Sequence, residues 1–311
     1  MKQTPELRRS GIGGSDAAAV CGLSRWKTPV QLYLEKIGDA KEVEETEAMH
    51  FGNILEEVVA QEFARLTGLK VRRDTRTFRH KEYPHLMAHA DRRITAAGSG
   101  VAGAGTESIG LECKTAGRWY SDEEWGETGT DFVPADYFLQ CQHCMLVTGW
   151  SKFHLAVLLA GNVFRHYEIP RDDVTIASLV EQENAFWKCV QDRTPPPEKN
   201  TFDTRLLYPR DSGDSVIAPE EIAKEVYFIS EESKRAKELE ASIEQRKTVV
   251  QSFMKNSARL INPVGEEIAT WRLQDNNRFS EKEFQADYPE MFVQYKRNKP
   301  HRVFRPKGAK V

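Results

Sequence analysis

The residues with the most chemistry to offer are Asp91 and the triplet Glu112-Cys113-Lys114. In an extended strand successive side chains point to opposite faces, so Glu112 and Lys114 share a face and Cys113 takes the other. Asp91 falls at the end of the preceding strand-like stretch, and a hairpin would set it beside Glu112. Two carboxylates and the main-chain carbonyl of Cys113 then form a pocket of hard oxygens suited to Mg2+. A lysine on the same face can orient or deprotonate an attacking water and neutralise a phosphate under attack. The chemistry expected of such a group is metal-assisted hydrolysis of a phosphodiester. Upstream, Glu56 or Glu57 could add a metal ligand or a base. Downstream, Gln140 could hold the water or the scissile phosphate. Spacing alone is weak support, because Glu-x-Lys triplets are frequent in a charged chain. An edge strand with solvent-facing Glu and Lys would read the same.

The elements that must position these groups read as interleaved helices and strands. Ser10-Gly11-Ile12-Gly13-Gly14-Ser15-Asp16 is a tight turn leading into Ala17-Ala18-Ala19-Val20, with Ser15 or Asp16 as the helix cap. Helices are expected over 29–37 and 53–67. The second has Ile54, Leu55, Val58, Val59 and Phe63 at helical spacing and Gly68 as its C-cap. Strands are expected over 69–79, with Val71 and Phe78 facing inward, over 87–94 and over 109–115. A Gly-rich loop over 98–110 joins the last two. A helix over 136–148, a buried strand over 153–159 and a return strand over 166–169 follow, the strands turning at Gly161-Asn162. A helix over 174–191 ends the series at Thr194-Pro195-Pro196-Pro197. The fold class implied is α/β, with a core domain over 1–199 and a C-terminal extension over 200–311. The extension reads as a loop over 200–215, a long charged helical stretch over 219–255 and a basic tail. The helical stretch suits a coiled-coil or helical-hairpin arm, and the tail has strand-like pieces at 267–273 and 303–305.

Composition excludes several classes. Hydrophobic residues make up 40% and charged residues 29% of the chain, the balance of a globular protein rather than a disordered or fibrous one. No run of roughly 18 apolar residues is present, so no transmembrane helix and no membrane partner are expected. The first residues lack the apolar core of a secretion signal. Five cysteines in a chain this long suit a reduced, cytoplasmic protein. A formal net charge of −3 would speak against a polyanionic partner, but the charge is laid out in blocks. Nine basic residues face three acidic ones over 65–93, whereas eight acidic residues face one basic residue over 39–62. Six acidic residues and no Lys or Arg lie over 120–150. Such blocks suit a protein that grips phosphates and places metal-binding carboxylates among them, although solvated faces would look alike.

Two further sets of residues invite chemistry. Cys141-Gln142-His143-Cys144 is a CxxC with an internal histidine, but a structural zinc site needs a second ligand pair that the sequence lacks. An iron–sulfur cluster recruiting Cys21 or Cys189 is the alternative, and buried free thiols are the simpler reading. His85, His89, His143 and His154 read more economically as satisfied polar packing than as a catalytic cluster.

The motifs in order resemble those of a known family. They run Leu7-Arg8-Arg9-Ser10-Gly11-Ile12-Gly13-Gly14-Ser15-Asp16, Gly22-Leu23-Ser24, Thr28-Pro29, Leu32-Tyr33-Leu34-Glu35-Lys36, Gly52-Asn53-Ile54-Leu55-Glu56, Ala90-Asp91, Leu111-Glu112-Cys113-Lys114 and Gln140-Cys141-Gln142. Over roughly the first two-thirds of the chain this series is similar to the YqaJ-type viral recombinases, which include the lambda-type phage exonucleases. The resemblance implies a restriction-endonuclease-like core, a central mixed sheet flanked by helices. It implies degradation of one strand of linear double-stranded DNA from a 5′ end, leaving 3′ single-stranded tails. By the same resemblance Asp91 and Glu112 match the metal-binding carboxylates, with the Cys113 carbonyl as a ligand, and Lys114 matches the water-activating lysine. Glu56 matches a glutamate near the metals, and Gln140 matches the glutamine of the downstream helix. Arg8 and Ser15 match a pocket for the terminal 5′-phosphate, and Met49 stands where a hydrophobic wedge separates the strands. Two Mg2+ ions, replaceable by Mn2+, a ring-shaped homotrimer, a single-strand annealing partner and the cytoplasm of a bacterial host complete the expectation.

Two other readings compete. A non-catalytic protein that binds DNA ends would keep Arg8, Ser15 and the basic blocks but would not need Asp91, Glu112 and Lys114 together. A recruiting or structural role suits the charged helix and basic tail of the last third better than the rest.

Overall fold

The computed structural model describes residues 4–40, 45–95, 108–117 and 124–307. Most of the expected Gly-rich loop therefore lies outside the described residues, as do Lys41, Glu42, Glu44, Asp122 and Glu123 of the acidic blocks. The chain divides into two compact units, 1–207 and 208–311.

The first unit begins with two short helices, α1 (Pro5–Arg9) and α2 (Gly14–Val20). Gly13 caps α2, and the Asp16 carboxylate accepts from the Gly13 N–H at 3.0 Å, so Asp16 serves the cap from inside the helix. α3 (Pro29–Ile37) opens on a capping box between Thr28 and Gln31 and closes on Gly38. α4 (Glu47–Thr67) begins well before the expected start, because the Thr46 hydroxyl caps it by accepting from the Met49 N–H. It ends, as expected, on Gly68 in the left-handed conformation.

Five strands form the main sheet: β1 (Lys70–Arg73), β4 (Arg92–Thr95), β5 (Ser108–Ala116), β6 (Lys152–Leu159) and β7 (Val163–Pro170), in the order β1-β4-β5-β6-β7. Only β5 and β6 run parallel, and α5 (Ala135–Thr148) makes the crossover that a parallel pair requires. β2 (Phe78–Arg79) and β3 (Met87–Ala88) pair separately. The stretches expected as single strands over 69–79 and 87–94 are thus each broken in two. The first breaks where the Asp74 carboxylate accepts from the Arg76 N–H, an Asx-type turn that competes with the ladder. The second breaks at His89-Ala90-Asp91, where the chain leaves the small sheet for the large one.

One face of the main sheet packs on α4, with Val59, Ala60 and Phe63 against Ile94, Leu111, Cys113 and Ala156. The other face holds Phe153, Leu155, Val157 and Leu159 against α2, α3, α5 and α6 (Asp173–Gln191). This is the mixed, helix-flanked sheet expected from the sequence. α7 (Thr201–Leu207) corrects the expectation of a loop after residue 199. Its Asp203 is fully buried and accepts from Thr28 Oγ1 at 2.6 Å and from the Lys199 N–H at 2.9 Å. Those bonds hold α7 in the first unit, so the division falls after Leu207.

In the second unit α8 (Glu220–Met254) is one unbroken helix of 35 residues, about 52 Å long, and not a helical hairpin. A hairpin of β8 (Arg259–Ile261) and β9 (Glu267–Thr270) follows, then α9 (Glu281–Asp287) and α10 (Pro289–Tyr295). The strand expected at 303–305 is extended chain without a ladder partner among the described residues.

Candidate active site

β4 and β5 deliver the two carboxylates. Their antiparallel register pairs Arg93 with Gly110 and Arg92 with Leu111, which brings Asp91 level with Glu112 one step further on. Asp91 Oδ2 accepts from the Cys113 N–H at 2.9 Å. Alternation along β5 sends the Cys113 side chain into the core beneath α4 and turns Glu112 and Lys114 to the opposite face. There Lys114 Nζ donates to Glu112 Oε1 at 2.6 Å, and Gln140 Nε2 from α5 donates to the same oxygen at 2.5 Å. Glu112 is 4% exposed. Four of the expected residues, Asp91, Glu112, Lys114 and Gln140, therefore stand together.

The electrostatics follow from that crowding. Burial, and next the charge of Glu112, push the Asp91 carboxyl up to about 8, with Glu56 adding to the effect. Lys114 and the Cys113 N–H work against it. Burial alone would lower the pKa of Lys114, but Glu112 and Asp91 outweigh it and hold the amine above its ordinary value. Two carboxylates that repel each other in a buried strand ending suit a bound cation, whose charge would return Asp91 to its ionised form. Among the described residues no group of three or more His, Cys, Asp or Glu side chains is placed to hold a metal. The donors present are two carboxylates and a main-chain carbonyl. That set fits Mg2+, which keeps several waters and takes phosphate oxygens rather than a closed protein cage.

Glu56 lies elsewhere. Its Oε1 accepts from Arg92 Nη1 at 2.5 Å, and Glu57 Oε2 accepts from Arg92 Nη2 at 2.8 Å. Arg92 Nη1 also donates to the Asp91 carbonyl at 2.7 Å. Arg92 sits on the α4 side of β4 and is 3% exposed, so it clasps α4 to the strand that carries Asp91. Glu56 acts on Asp91 through its field and shares no hydrogen bond with it. Sequence reasoning passed over Arg92. Strand alternation could have found it, because the residue after Asp91 must face the helix that bears Glu56 and Glu57.

α2 abuts the same site. A Cβ on Gly14 would stand 2.9 Å from Cys144 Sγ and 3.2 Å from Gln140 Cγ, so glycine permits the contact with α5. A Cβ on Gly11 would meet the His85 carbonyl at 2.2 Å, where Ile12 bridges Leu86. Lys36 Nζ, 2.6 Å from Asp16 Oδ2 and 2.7 Å from the Arg8 carbonyl, ties α1 to α2. Arg8 and Ser15 both have exposed side chains, and no hydrogen bond joins them. Met49 is exposed in the first turn of α4.

α5 is fixed by its buried polar residues. His143 Nε2 donates to the Met87 carbonyl at 2.9 Å, and Nδ1 lies 2.7 Å from Glu183 Oε1 of α6. Burial opposes charge on His143, but Glu183 outweighs it and raises the imidazole. Gln142 donates to the Pro170 carbonyl and accepts from the Asp172 N–H. The five cysteines are free, with Cys141 and Cys144 buried.

An α/β fold with a mixed sheet, two carboxylates on adjacent strands and a lysine two residues along defines the class. The model of the YqaJ-like viral recombinase domain matches residues 5–151, a range that contains every candidate residue above. The chain is 32% identical to the uncharacterized protein YqaJ of Bacillus subtilis strain 168, over 96% of this chain and 91% of the relative. The chain belongs to the YqaJ-like viral recombinase family. Among solved structures it is similar to LHK-Exo in complex with dAMP, with 18% identity and a TM-score of 0.47 over 61% of this chain and 92% of that one. The alkaline exonuclease LHK-Exo from Laribacter hongkongensis gives 18% identity and a TM-score of 0.46 over 61% and 94%. A phage-related exonuclease from Haemophilus somnus 129PT gives 13% identity and a TM-score of 0.42 over 59% and 94%.

Proposed function

We propose that the chain is a metal-dependent 5′–3′ exonuclease that degrades one strand of linear double-stranded DNA from a 5′-phosphorylated end, leaving 3′ tails for recombination. The observation that carries the reading is the meeting of Asp91 and Glu112, with Lys114 and Gln140 both bonded to Glu112 Oε1. Mg2+, as two ions and with Mn2+ as a substitute, would be held by Asp91, Glu112 and the Cys113 carbonyl and would stabilise charge on the attacked phosphate.

The chain's own groups do the rest. The raised pKa of Lys114 makes it an ammonium donor, suited to orienting water or a phosphate oxygen rather than to taking a proton. The Gln140 amide, held in line by α5, fixes the Glu112 carboxylate and can present its carbonyl to water. Arg8 offers paired donors to a terminal phosphate, and Ser15 adds a hydroxyl near the start of α2. Exposed Met49 is the wedge that parts the strands. Glu56 joins the site by exchanging Arg92 for it. A ring of three identical subunits would keep the duplex enclosed, and an annealing protein would take up the 3′ tails in the cytoplasm of a bacterial host. Among the described residues no helix is long and apolar enough to cross a membrane.

Digestion of end-labelled linear duplexes, with and without Mg2+, tests this. Release of nucleotides from 5′-phosphorylated ends only with the metal is the expected result. Release from 3′ ends, or cutting of closed circles, would overturn it.

A further inference from the structure

β1 is the edge of the main sheet, and its register with β4 is unusual in charge. Val71 pairs with Ile94, and both turn toward α4. Arg72 pairs with Arg93, so the two guanidinium groups share the opposite face, the one that carries Glu112 and Lys114. Like charges directly opposite each other weaken a strand pair. Among the described residues neither side chain makes a hydrogen bond or an ion pair. The carboxylate whose charge reaches Arg93, that of Asp74, is taken by Arg76, whose Nε donates to it at 2.8 Å. Two sets of guanidinium donors are thus left open at the sheet edge, Arg72 exposed and Arg93 half-buried.

Their position relative to the carboxylates is set by the ladder. Arg72, Arg93 and Gly110 form one cross-sheet row, and Asp91 with Glu112 lies two residues further along. Two residues of strand are about 7 Å. Guanidinium groups bind phosphate oxygens through paired donors.

We infer that Arg72 and Arg93 form a phosphate-binding row for the DNA backbone beside the metal site. They hold phosphates of the strand whose scissile phosphate lies at Asp91 and Glu112. The inference rests on the nuclease reading for the identity of the ligand, and it names residues that reading does not use. The row explains why the sheet keeps two opposed arginines, since phosphate supplies the counter-charge that the protein withholds.

The test is metal-free binding of a 5′-phosphorylated linear duplex by the full-length protein, followed by fluorescence anisotropy over a range of KCl. In the R72Q/R93Q variant the plot of log affinity against log salt should become shallower by about 1.4–1.8, at 0.7–0.9 for each phosphate released. The R72K/R93K variant should keep the wild-type slope, because counterion release follows charge. Thermal unfolding of R72Q/R93Q should be no earlier than wild type, since an opposed charge pair has gone. Single-turnover cleavage at saturating protein, low salt and Mg2+ should persist in R72Q/R93Q. An unchanged salt slope in that variant overturns the row, whether or not the wild type cleaves. A wild type that binds with the predicted slopes and never cleaves sinks the nuclease reading and leaves the row standing.

Discussion

At the scale of single residues, Asp91 carries the sharpest consequence. Its carboxyl is held near 8 by burial and by Glu112, far above the ordinary carboxylate range. Between those two values the native state binds a proton that the unfolded state has released, so stability falls as pH rises through that window. The D91N variant removes the proton. In EDTA it should unfold at a higher temperature than wild type at pH 8, with the gap closing toward pH 4. Each kcal/mol corresponds to roughly 2–4 °C in a domain of this size. With Mg2+ the order should reverse at pH 8, since only the wild type gains the metal, and D91N should not cleave DNA. His143 and Glu183 make a second residue-scale case. Both side chains are wholly buried and face each other at 2.7 Å. H143A leaves an unpaired buried carboxylate and should cost about 3–5 kcal/mol in urea unfolding. The H143L/E183L double variant should cost less than either single change, which separates the charge from the packing.

At the scale of elements, the site depends on how closely α2 and α5 approach. Gly14 stands where any Cβ would press on Cys144 and Gln140. G14A should destabilise the protein by about 1–3 kcal/mol through overpacking. It should also lower the turnover of DNA ends, because the displaced helix is the one that aims Gln140 at Glu112. Adding C144A removes the closest clash and should restore part of the stability. No rescue would mean that the strain lies in the α2 backbone. Element type was legible here to a large degree. The helices over 29–37 and 136–148 and the strand over 153–159 follow from apolar periodicity and from their caps. The break between β1 and β2 was not, because it turns on one side chain, Asp74, which bonds its own backbone in competition with the ladder.

At the scale of the whole molecule, the two compact units meet the chain's division at Leu207. The prolines at 195–197 looked like the boundary, yet the chain beyond them still supplies Asp203, the acceptor for Thr28 and Lys199. A protein truncated after Lys199 should therefore be less stable than one truncated after Leu207, by about 1–3 kcal/mol, since it leaves the Thr28 hydroxyl and the Lys199 amide without their acceptor. Calorimetry of the two truncations checks the boundary. Light scattering of the 1–207 protein beside the full chain shows whether 208–311 is needed for the oligomer.

What the sequence determined by itself was local. Alternation along a strand places Glu112 and Lys114 together and Cys113 apart, whatever the strand packs against, and the order of motifs was enough for the family. The tertiary structure decided what depends on contacts far apart in the chain. Register between β4 and β5 brings Asp91 to Cys113, and the packing of α5 aims Gln140 at Glu112. Alternation along β4 turns Arg92 toward α4, where it takes Glu56, and leaves Arg93 on the site's face beside Arg72. The physical reason is the same in each case. A side chain's face is fixed by the backbone period, but its partner and its charge state are fixed by burial and by neighbours that only folding supplies.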